Sequence, residues 1–431
     1  MDERTAIIKL WDQIVGAVAW SEREEIGMFE FDSKFLTTQW DVSPIMMPLN
    51  QSGRRVYAFA ENKGSTSTFR GLPGLLADML PDKYGNALIN AWLATQGRVN
   101  LTPRETLCFI GKRGMGALEV EPLIREEAKR TSKIELDNLV STANKILNTR
   151  EQFQTDLSHD EQAALTDILR IGTSAGGARA KAIIAFNTKT KEVRSGQVKA
   201  PRGFTYWILK FDGVTDNQFG ISNGYGRVEM AYHLMAKEAG IEMTECQLYE
   251  ENGRAHFMTR RFDRDDDGNK IHMQSFCAMR HFDFTMVGYF AYEQLFETMR
   301  MLGLPYPEAE QMFSRMVFNV LARNCDDHTK NFAFLMDKTS KWKLSPAFDI
   351  CHAYRPDSPW VSSQSLTING KRDNINADDL LSVGKQMNIK KGKQIIARVT
   401  ESVTNWNNYA DEVKVDTKLR DAINKTLLVK R

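Results

Sequence analysis

Cysteines are few in this sequence, and none is paired at the spacing of a metal or redox site. The 431 residues contain five cysteines, an odd number, and no Cys-x-x-Cys motif. Disulfide-rich secreted domains and zinc knuckles need closely paired cysteines. We therefore expect a reduced, cytoplasmic protein without a disulfide framework. The five residues are Cys108, Cys246, Cys277, Cys325 and Cys351.

Long apolar runs are also missing. No stretch approaches the ~18 uninterrupted apolar residues that a membrane-spanning helix needs, so we expect no membrane association. The segment Met1–Leu10 has acidic residues where a signal peptide is positively charged, and Lys9 interrupts its apolar run. These features predict a chain without a secretion signal.

The sequence also lacks a large excess of positive charge. A formal net charge of +2 argues against a generally basic nucleic-acid binder and leaves room only for a local patch. Hydrophobic residues make up 42% and charged residues 26% of the chain, as in soluble globular proteins. The length predicts two or three domains or lobes.

The first third of the chain alternates short β-like runs with turns, which predicts a small β-rich domain. Helical periodicity follows around Leu75–Leu80 and Tyr84–Leu93. Between Leu107 and Val120 we expect a short strand pair around a glycine turn. The charged stretch Arg125–Arg130 is a candidate boundary, and a solvated helix face is the alternative.

Three residues in the last third have the types and spacing of a phosphoryl-transfer centre. Asp326 and Asn331 have the Asp-x-x-x-x-Asn spacing of the protein-kinase catalytic loop, and Asp349 corresponds to the metal-binding Asp of Asp-Phe-Gly. A kinase needs one carboxylate to orient and deprotonate the attacking hydroxyl, plus amide and carboxylate oxygens for Mg²⁺. We predict that Asp326 is the catalytic residue and that Asn331 and Asp349 bind Mg²⁺.

A glycine-rich segment in the middle third is a candidate cradle for the phosphates of ATP. Gly172 and Gly177 have the spacing of a Walker A loop, but Ala178 stands where that motif has Lys and Arg179 where it has Ser or Thr. Small residues let backbone N–H groups approach phosphate closely, so a different phosphate loop is plausible. An ordinary turn before a strand is the alternative.

An apolar, aromatic run, Tyr206–Leu209, predicts a buried strand that ends at Lys210. This lysine is comparable to the strand lysine of kinases, and Glu229 in a helix-like segment is its most available partner. A simple strand-end pair of Lys210 with Asp212 is the alternative. The glycine-rich loop, strand Lys, helical Glu, catalytic loop and metal-binding Asp follow one another in the order found in kinases.

Taken together, these motifs resemble those of the HipA family of bacterial serine/threonine kinases, the toxins of HipA–HipB toxin–antitoxin pairs. The resemblance covers nearly the whole chain. It is carried by Ser174-Ala-Gly-Gly-Ala-Arg-Ala-Lys181, Trp207-Ile-Leu-Lys210, Arg261-Phe-Asp-Arg264, Asp326-Asp-His-Thr-Lys-Asn331 and Ala347-Phe-Asp-Ile350.

The resemblance implies an α+β, atypical two-lobed protein-kinase-like fold. It would comprise an N-terminal β-rich domain (residues 1–122), a kinase N-lobe with the glycine-rich loop (123–284) and an all-helical C-lobe with the catalytic loop (285–431). ATP would lie between the lobes. The residues expected to bind it are Lys210, Glu229, His328, Gly176, Gly177, Ala178 and Lys181.

The resemblance also implies a function. The family transfers the γ-phosphate of ATP to a protein serine, characteristically on an aminoacyl-tRNA synthetase, which arrests translation and favours dormancy and persistence. It implies autophosphorylation of the loop serine, here Ser174, with Thr173 as a second acceptor. The implied partner is a HipB-like helix-turn-helix antitoxin, through which operator DNA would be contacted indirectly.

Departures from the family pattern leave two other readings open. Asp327 replaces a common Gly and is expected to add a carboxylate beside the metal site, while Arg179 and Ala180 stand where an amide and an acid can occur. A catalytically silent corepressor that acts with an antitoxin is the first alternative. Phosphorylation of a small molecule is the second, because the catalytic loop also resembles that of phosphatidylinositol 3-kinases.

Overall fold

The computed structural model describes residues 5–50, 56–63, 68–124, 134, 136–148, 168–169, 171–172, 179–216, 220–221 and 224–429. The charged stretch at 125–130 lies outside these residues. So do Thr173 and Ser174, together with Gly176, Gly177 and Ala178 of the glycine-rich loop, and the predictions made for them remain predictions.

The N-terminal part forms an antiparallel five-stranded sheet with the order β4-β3-β2-β1-β5, here called the N-terminal sheet. Alternate side chains of β1 and β3 are buried, as expected of strands that cover a core on one face. The predicted β-rich start of the chain is therefore confirmed. The strands are β1 Thr5–Leu10, β2 Gln13–Ser21, β3 Ile26–Phe31, β4 Val56–Tyr57 and β5 Leu118–Glu121.

Three helices lie between β4 and β5: α1 Gly74–Ala77, α2 Lys83–Thr95 and α3 Pro103–Ile110. The first two agree with the predicted helical periodicity. The strand pair expected after Leu107 is wrong, because α3 occupies its first part and β5 alone its end. Thr102 caps α3: its hydroxyl accepts from Glu105 N–H at 3.1 Å, and the Glu105 carboxylate accepts from Thr102 N–H at 2.8 Å.

A second antiparallel sheet, the central sheet, has the order β11-β12-β8-β6-β7. Every residue of β6 is buried, which accounts for the uninterrupted apolar run that follows Lys181 in this strand. Its strands are β6 Lys181–Phe186, β7 Val193–Ser195, β8 Thr205–Lys210, β11 Cys246–Glu251 and β12 Arg254–Arg260. The neighbouring elements are α4 Leu136–Asn148, the strand pair β9 Thr215–Asp216 and β10 Gly220–Ile221, and α5 Tyr225–Glu238.

The remainder of the chain is mainly helical: α6 Phe276–Arg280, α7 Tyr292–Met301, α8 Tyr306–Leu321, α9 Ala377–Gln386, α10 Gly392–Thr404, α11 Trp406–Glu412 and α12 Thr417–Asn424. It also contains a small sheet, β13 His272–Ser275, β14 Ala333–Met336 and β15 Trp342–Leu344, in that order. The α+β class is confirmed, but the expectation of an all-helical C-terminal part is wrong at β14 and β15. β13 precedes the predicted boundary at residue 284 and pairs with β14 beyond it.

Helix α8 carries the apolar face that its sequence predicts, and it supports the segment that follows. Met312, Phe313, Met316 and Val317 are fully buried in the largest hydrophobic core. The helix ends at Leu321, just before the predicted catalytic loop, which is therefore attached to a rigid element. Among the residues that the structure describes, no helix is both long and apolar enough to cross a membrane.

Candidate active site

The site lies where the central sheet meets the C-terminal helical part, and Lys210 connects the two. Lys210 is the last residue of β8, between β6 and β12, as predicted from its apolar run. Its Nζ donates to Asp349 Oδ1 at 2.5 Å and also donates to Glu229 Oε1. Only 14% of the Lys210 side chain and 5% of the Glu229 side chain are exposed. The predicted pairing of Lys210 with Glu229 is thus present, with Asp349 as a second partner.

The charges of this cluster stabilise one another. Burial lowers the pKa of Lys210, but the adjacent Asp349 and Glu229 carboxylates outweigh burial and raise it above its ordinary value. Burial raises the pKa of Asp349, but Lys210 and then Lys181 outweigh this and hold it well below its usual range. Lys210 and Asp349 are therefore expected to be charged at neutral pH.

Helix α5 positions Glu229 one turn after its start. Gly224 precedes the helix with a φ of 81°, a left-handed conformation that glycine adopts without strain. Gly224 N–H donates to Asp212 Oδ1 at 2.9 Å, which fixes the start of α5 near the end of β8. This contact explains why a helix that begins far from Lys210 in the sequence presents its glutamate to that lysine.

Asp326 lies in the loop that leaves α8, as predicted, and 50% of its side chain is exposed. Partial burial of the carboxyl group raises the pKa of Asp326; His328 lowers it, and Asp349 raises it further. His328 Nε2 lies 3.7 Å from Asp326 Oδ1. The carboxylate is accessible to a substrate and is a stronger base than an ordinary aspartate.

Asn331 ends a short 3-10 turn, Thr329–Asn331, and its amide faces the start of the loop. Asn331 Nδ2 donates to the Asp326 carbonyl at 2.6 Å, which leaves Oδ1 as the oxygen for a metal ligand. Asp349 has a φ of 52°, a conformation unusual for aspartate and frequent at functional sites.

These donors fit Mg²⁺, which prefers oxygen ligands and is commonly bound by one or two carboxylates together with substrate phosphates. Within the described parts of the chain, no group of three or more His, Cys, Asp or Glu side chains could hold a metal ion by itself. Asn331 and Asp349 offer one oxygen ligand each, and Mg²⁺ commonly completes its coordination with water and phosphate oxygens.

Lys181, the other loop residue predicted to bind ATP, begins β6 and lies directly opposite Lys210 in the sheet. Its side chain is buried. Burial lowers the pKa of Lys181, and the carboxylate of Asp349 opposes this shift. Lys181 thus adds a second cation beneath the candidate metal-binding aspartate.

The expectation that Asp327 adds a carboxylate beside the metal site is wrong. Its side chain is buried in the C-terminal part and accepts hydrogen bonds from Tyr292 Oη at 2.8 Å, Gln364 Nε2 at 3.0 Å and Ser365 N–H at 2.6 Å. Burial raises the pKa of Asp327 to about 6 despite these donors. Through these three hydrogen bonds, Asp327 holds the loop to the core of the C-terminal part.

Sequence reasoning did not find the role of Arg179. Its guanidinium carbon lies 4.5 Å from the centre of the Tyr225 ring, at the start of α5. The charge of Arg179 is close enough to lower the pKa of Asp326. The sequence shows Arg179 only as a departure from a phosphate-loop pattern, because its aromatic partner is distant along the chain.

Two family models match the chain. Residues 6–121 match the HipA N-terminal domain, and residues 173–407 match the HipA-like C-terminal domain. The chain belongs to the HipA family. The second model covers the glycine-rich segment from Thr173 onward and every HipA-like site residue described above.

The HipA fold is also found in a solved structure. The complex of the Shewanella oneidensis MR-1 toxin–antitoxin proteins HipA and HipB with operator DNA contains a chain with a TM-score of 0.66 and 16% identity. The match covers 98% of this chain and 96% of that one. At this identity the match establishes the fold alone.

A curated relative of this HipA family member is the protein named Putative kinase Y4mE of Sinorhizobium fredii. It is 25% identical over 152 residues, and the match spans 33% of each protein. The kinase CtkA of Helicobacter pylori gives a TM-score of 0.37 at 13% identity over 59% of this chain and 90% of that chain, too low to support a conclusion.

Proposed function

We propose that this HipA family member is an ATP- and Mg²⁺-dependent serine/threonine protein kinase and the toxin of a type II toxin–antitoxin pair. The observation that carries the proposal is the position of Lys210, bound to Glu229 and Asp349 at the junction where Asp326 and Asn331 also lie. This arrangement contains a phosphate-binding cation, a base and metal-binding oxygens.

Each residue has a separate task in this proposal. Lys210, held by Glu229, binds phosphate oxygens of ATP, and Lys181 adds positive charge behind it. Asn331 and Asp349 would hold Mg²⁺, which when bound would neutralise charge on the transferring phosphoryl group. Asp326 orients the acceptor hydroxyl and accepts its proton, and its raised pKa favours that step.

His328 is assigned to the same centre. Its ring lies 5.1 Å from the ring of Phe284, and its Nε2 faces Asp326. In this position it either contacts a phosphate oxygen or restricts the movement of Asp326. Gly176, Gly177 and Ala178 would complete the phosphate cradle.

The substrate and partners follow from the family. We propose that the protein acceptor is an aminoacyl-tRNA synthetase, that Ser174 is autophosphorylated, and that the protein acts in the cytoplasm with a HipB-like antitoxin. The Shewanella oneidensis complex, which contains HipA, HipB and operator DNA, supports such a partner. A phosphate on Ser174 would place negative charge in the ATP cradle and is expected to suppress activity.

The decisive experiment compares the wild-type protein with Asp326→Asn. Both are incubated with labelled ATP, Mg²⁺ and a bacterial lysate, and phosphosites are identified by mass spectrometry. Because general-base assistance contributes about 10²–10⁴-fold, we expect the variant to lose at least about 100-fold in labelling of Ser174 and of a tRNA synthetase. Nucleotide binding without any labelling by the wild-type protein would instead favour the silent corepressor.

A further inference from the structure

The turn between α1 and α2 reaches the catalytic loop from the N-terminal part of the chain. Asp82 stands immediately before α2, but its side chain does not cap that helix. Its Oδ1 instead accepts from Lys330 Nζ at 2.5 Å. The two side chains are only 17% and 16% exposed, so solvent screens this ion pair weakly.

A second carboxylate, that of Asp78 at the start of the same turn, binds the residue that precedes α6. Asp78 accepts from Ser275 N–H at 2.6 Å and from Ser275 Oγ at 2.7 Å. Ser275 caps α6. The next residue, Phe276, donates its N–H to the Phe332 carbonyl at 2.8 Å, and Phe332 directly follows the Thr329–Asn331 turn. Asp78 and Asp82 together form what we call the acidic clamp.

The acidic clamp contacts the Thr329–Asn331 turn, in which each of the three side chains has its own hydrogen-bond partner. Thr329 Oγ1 donates to the Phe282 carbonyl at 2.8 Å, Lys330 binds Asp82, and Asn331 Nδ2 donates to the Asp326 carbonyl. Lys330 Nζ also lies 4.8 Å from the centre of the Phe284 ring. Lys330 binds Asp82 in the N-terminal part of the protein and directly precedes Asn331, so it connects that part to Asn331.

We propose that Asp82 is a positioning residue of the active site, which through Lys330 holds Asn331 in the geometry that binds a metal–nucleotide complex. The inference rests on the proposed function for the identity of that ligand. Residues that orient metal ligands without touching the metal commonly affect affinity by about 10–100-fold.

The test measures binding rather than turnover. Mn²⁺ is titrated by electron paramagnetic resonance in the presence of a non-hydrolysable ATP analogue, with the full-length wild-type protein, Asp82→Asn and Asp82→Glu. We expect Asp82→Asn to raise the Mn²⁺ dissociation constant by about 10-fold or more, and Asp82→Glu to restore most of the affinity. Lys330→Met should show the same loss, and the Asp82→Asn, Lys330→Met double variant should be no worse than either single variant.

Glu119 and Lys270 provide a matched control. Their ion pair, Oε1 to Nζ at 2.9 Å, also joins the N-terminal sheet to the rest of the chain, and each side chain is 20% exposed. Glu119→Gln should lower the free energy of unfolding about as much as Asp82→Asn while leaving Mn²⁺ affinity unchanged. This separates a loss of positioning from a general loss of stability.

Unchanged Mn²⁺ affinity in folded Asp82→Asn would overturn the inference, as would an equal loss in Glu119→Gln. Failure of the wild-type protein to bind the metal–nucleotide complex would overturn both this inference and the proposed function. Normal binding by the wild-type protein without phosphoryl transfer would overturn only the proposed function.

Discussion

At the scale of single residues, the site is organised by charges that are buried together. Lys210 touches two carboxylates from different parts of the chain, and Lys181 lies beside it. An isolated buried charge would be costly, but each charge in this group has an opposite charge nearby. ATP and its metal would therefore enter a site whose electrostatics are already arranged, and Lys210 would exchange one carboxylate contact for phosphate.

Asp327 gives a prediction of pH dependence. Its folded pKa of about 6 exceeds the ordinary value of 3.8, so the folded protein binds this proton more tightly than the unfolded chain. The stabilisation is full below the unfolded pKa and is lost as pH rises through about 6. Asp327→Asn should remove this contribution, so wild-type stability relative to the variant should fall between pH 4 and pH 7. Urea unfolding at several pH values measures it, and a constant difference would contradict the assignment.

At the scale of secondary-structure elements, the sequence predicts the strands and helices whose patterns lie within a few neighbouring residues. The apolar run before Lys210 predicts β8, and the apolar face of α8 predicts a helix that leads into the catalytic loop. The glycines after Leu107 favour a turn, but the Thr-Pro-Arg-Glu cap that begins at Thr102 starts a helix that extends past Leu107. That cap was the available signal for α3.

The cap of α3 supplies a stability prediction. Thr102→Ala removes the hydroxyl that accepts from Glu105 N–H, and we expect it to lower the free energy of unfolding by about 1 kcal/mol. Thr95→Ala is the matched control: Thr95 is exposed at the end of α2, and its replacement should change stability by no more than about 0.5 kcal/mol. Equal effects in denaturant unfolding would show that the cap contributes little.

At the scale of the whole molecule, the contacts that assemble the site join residues far apart in sequence, which explains what sequence analysis missed. The pairing of Asp82 with Lys330 spans 248 positions, and neither residue carries a local signal of it. The kinase-like types and spacing of Asp326, Asn331 and Asp349 identified them as a group. The spacing could not predict that Asp327 turns into the core, because that depends on Tyr292, Gln364 and Ser365 meeting there.

The buried Asp263 is a second long-range junction and gives a further prediction. Asp263 pairs with Arg261 and Arg264 at 2.7 and 2.9 Å, and accepts from Gly116 N–H at 2.7 Å. Burial raises the pKa of Asp263, but Arg261 and Arg264 outweigh it and hold that pKa well below its usual range. Asp263→Asn would remove the carboxylate that pairs with both buried arginines.

We expect Asp263→Asn to destabilise the protein by about 3–5 kcal/mol, as when one partner of a buried ion pair is removed. Asp266→Asn is the control, because Asp266 pairs with Arg260 but its side chain is 90% exposed. Its effect should stay within about 1 kcal/mol. Thermal and urea unfolding of the two variants measure the difference, and a mild effect of Asp263→Asn would show that the arginines find other partners.

The core beneath the N-terminal sheet also includes residues from later in the chain. Cys277 and Met336, from the C-terminal half, are buried in the same hydrophobic cluster as β1, β2 and β3. Two parts that share one core cannot melt independently, because unfolding either one exposes apolar surface of the other. Heating should therefore produce a single cooperative transition across these parts, so that a destabilising substitution in the N-terminal sheet lowers the folded fraction of the whole protein.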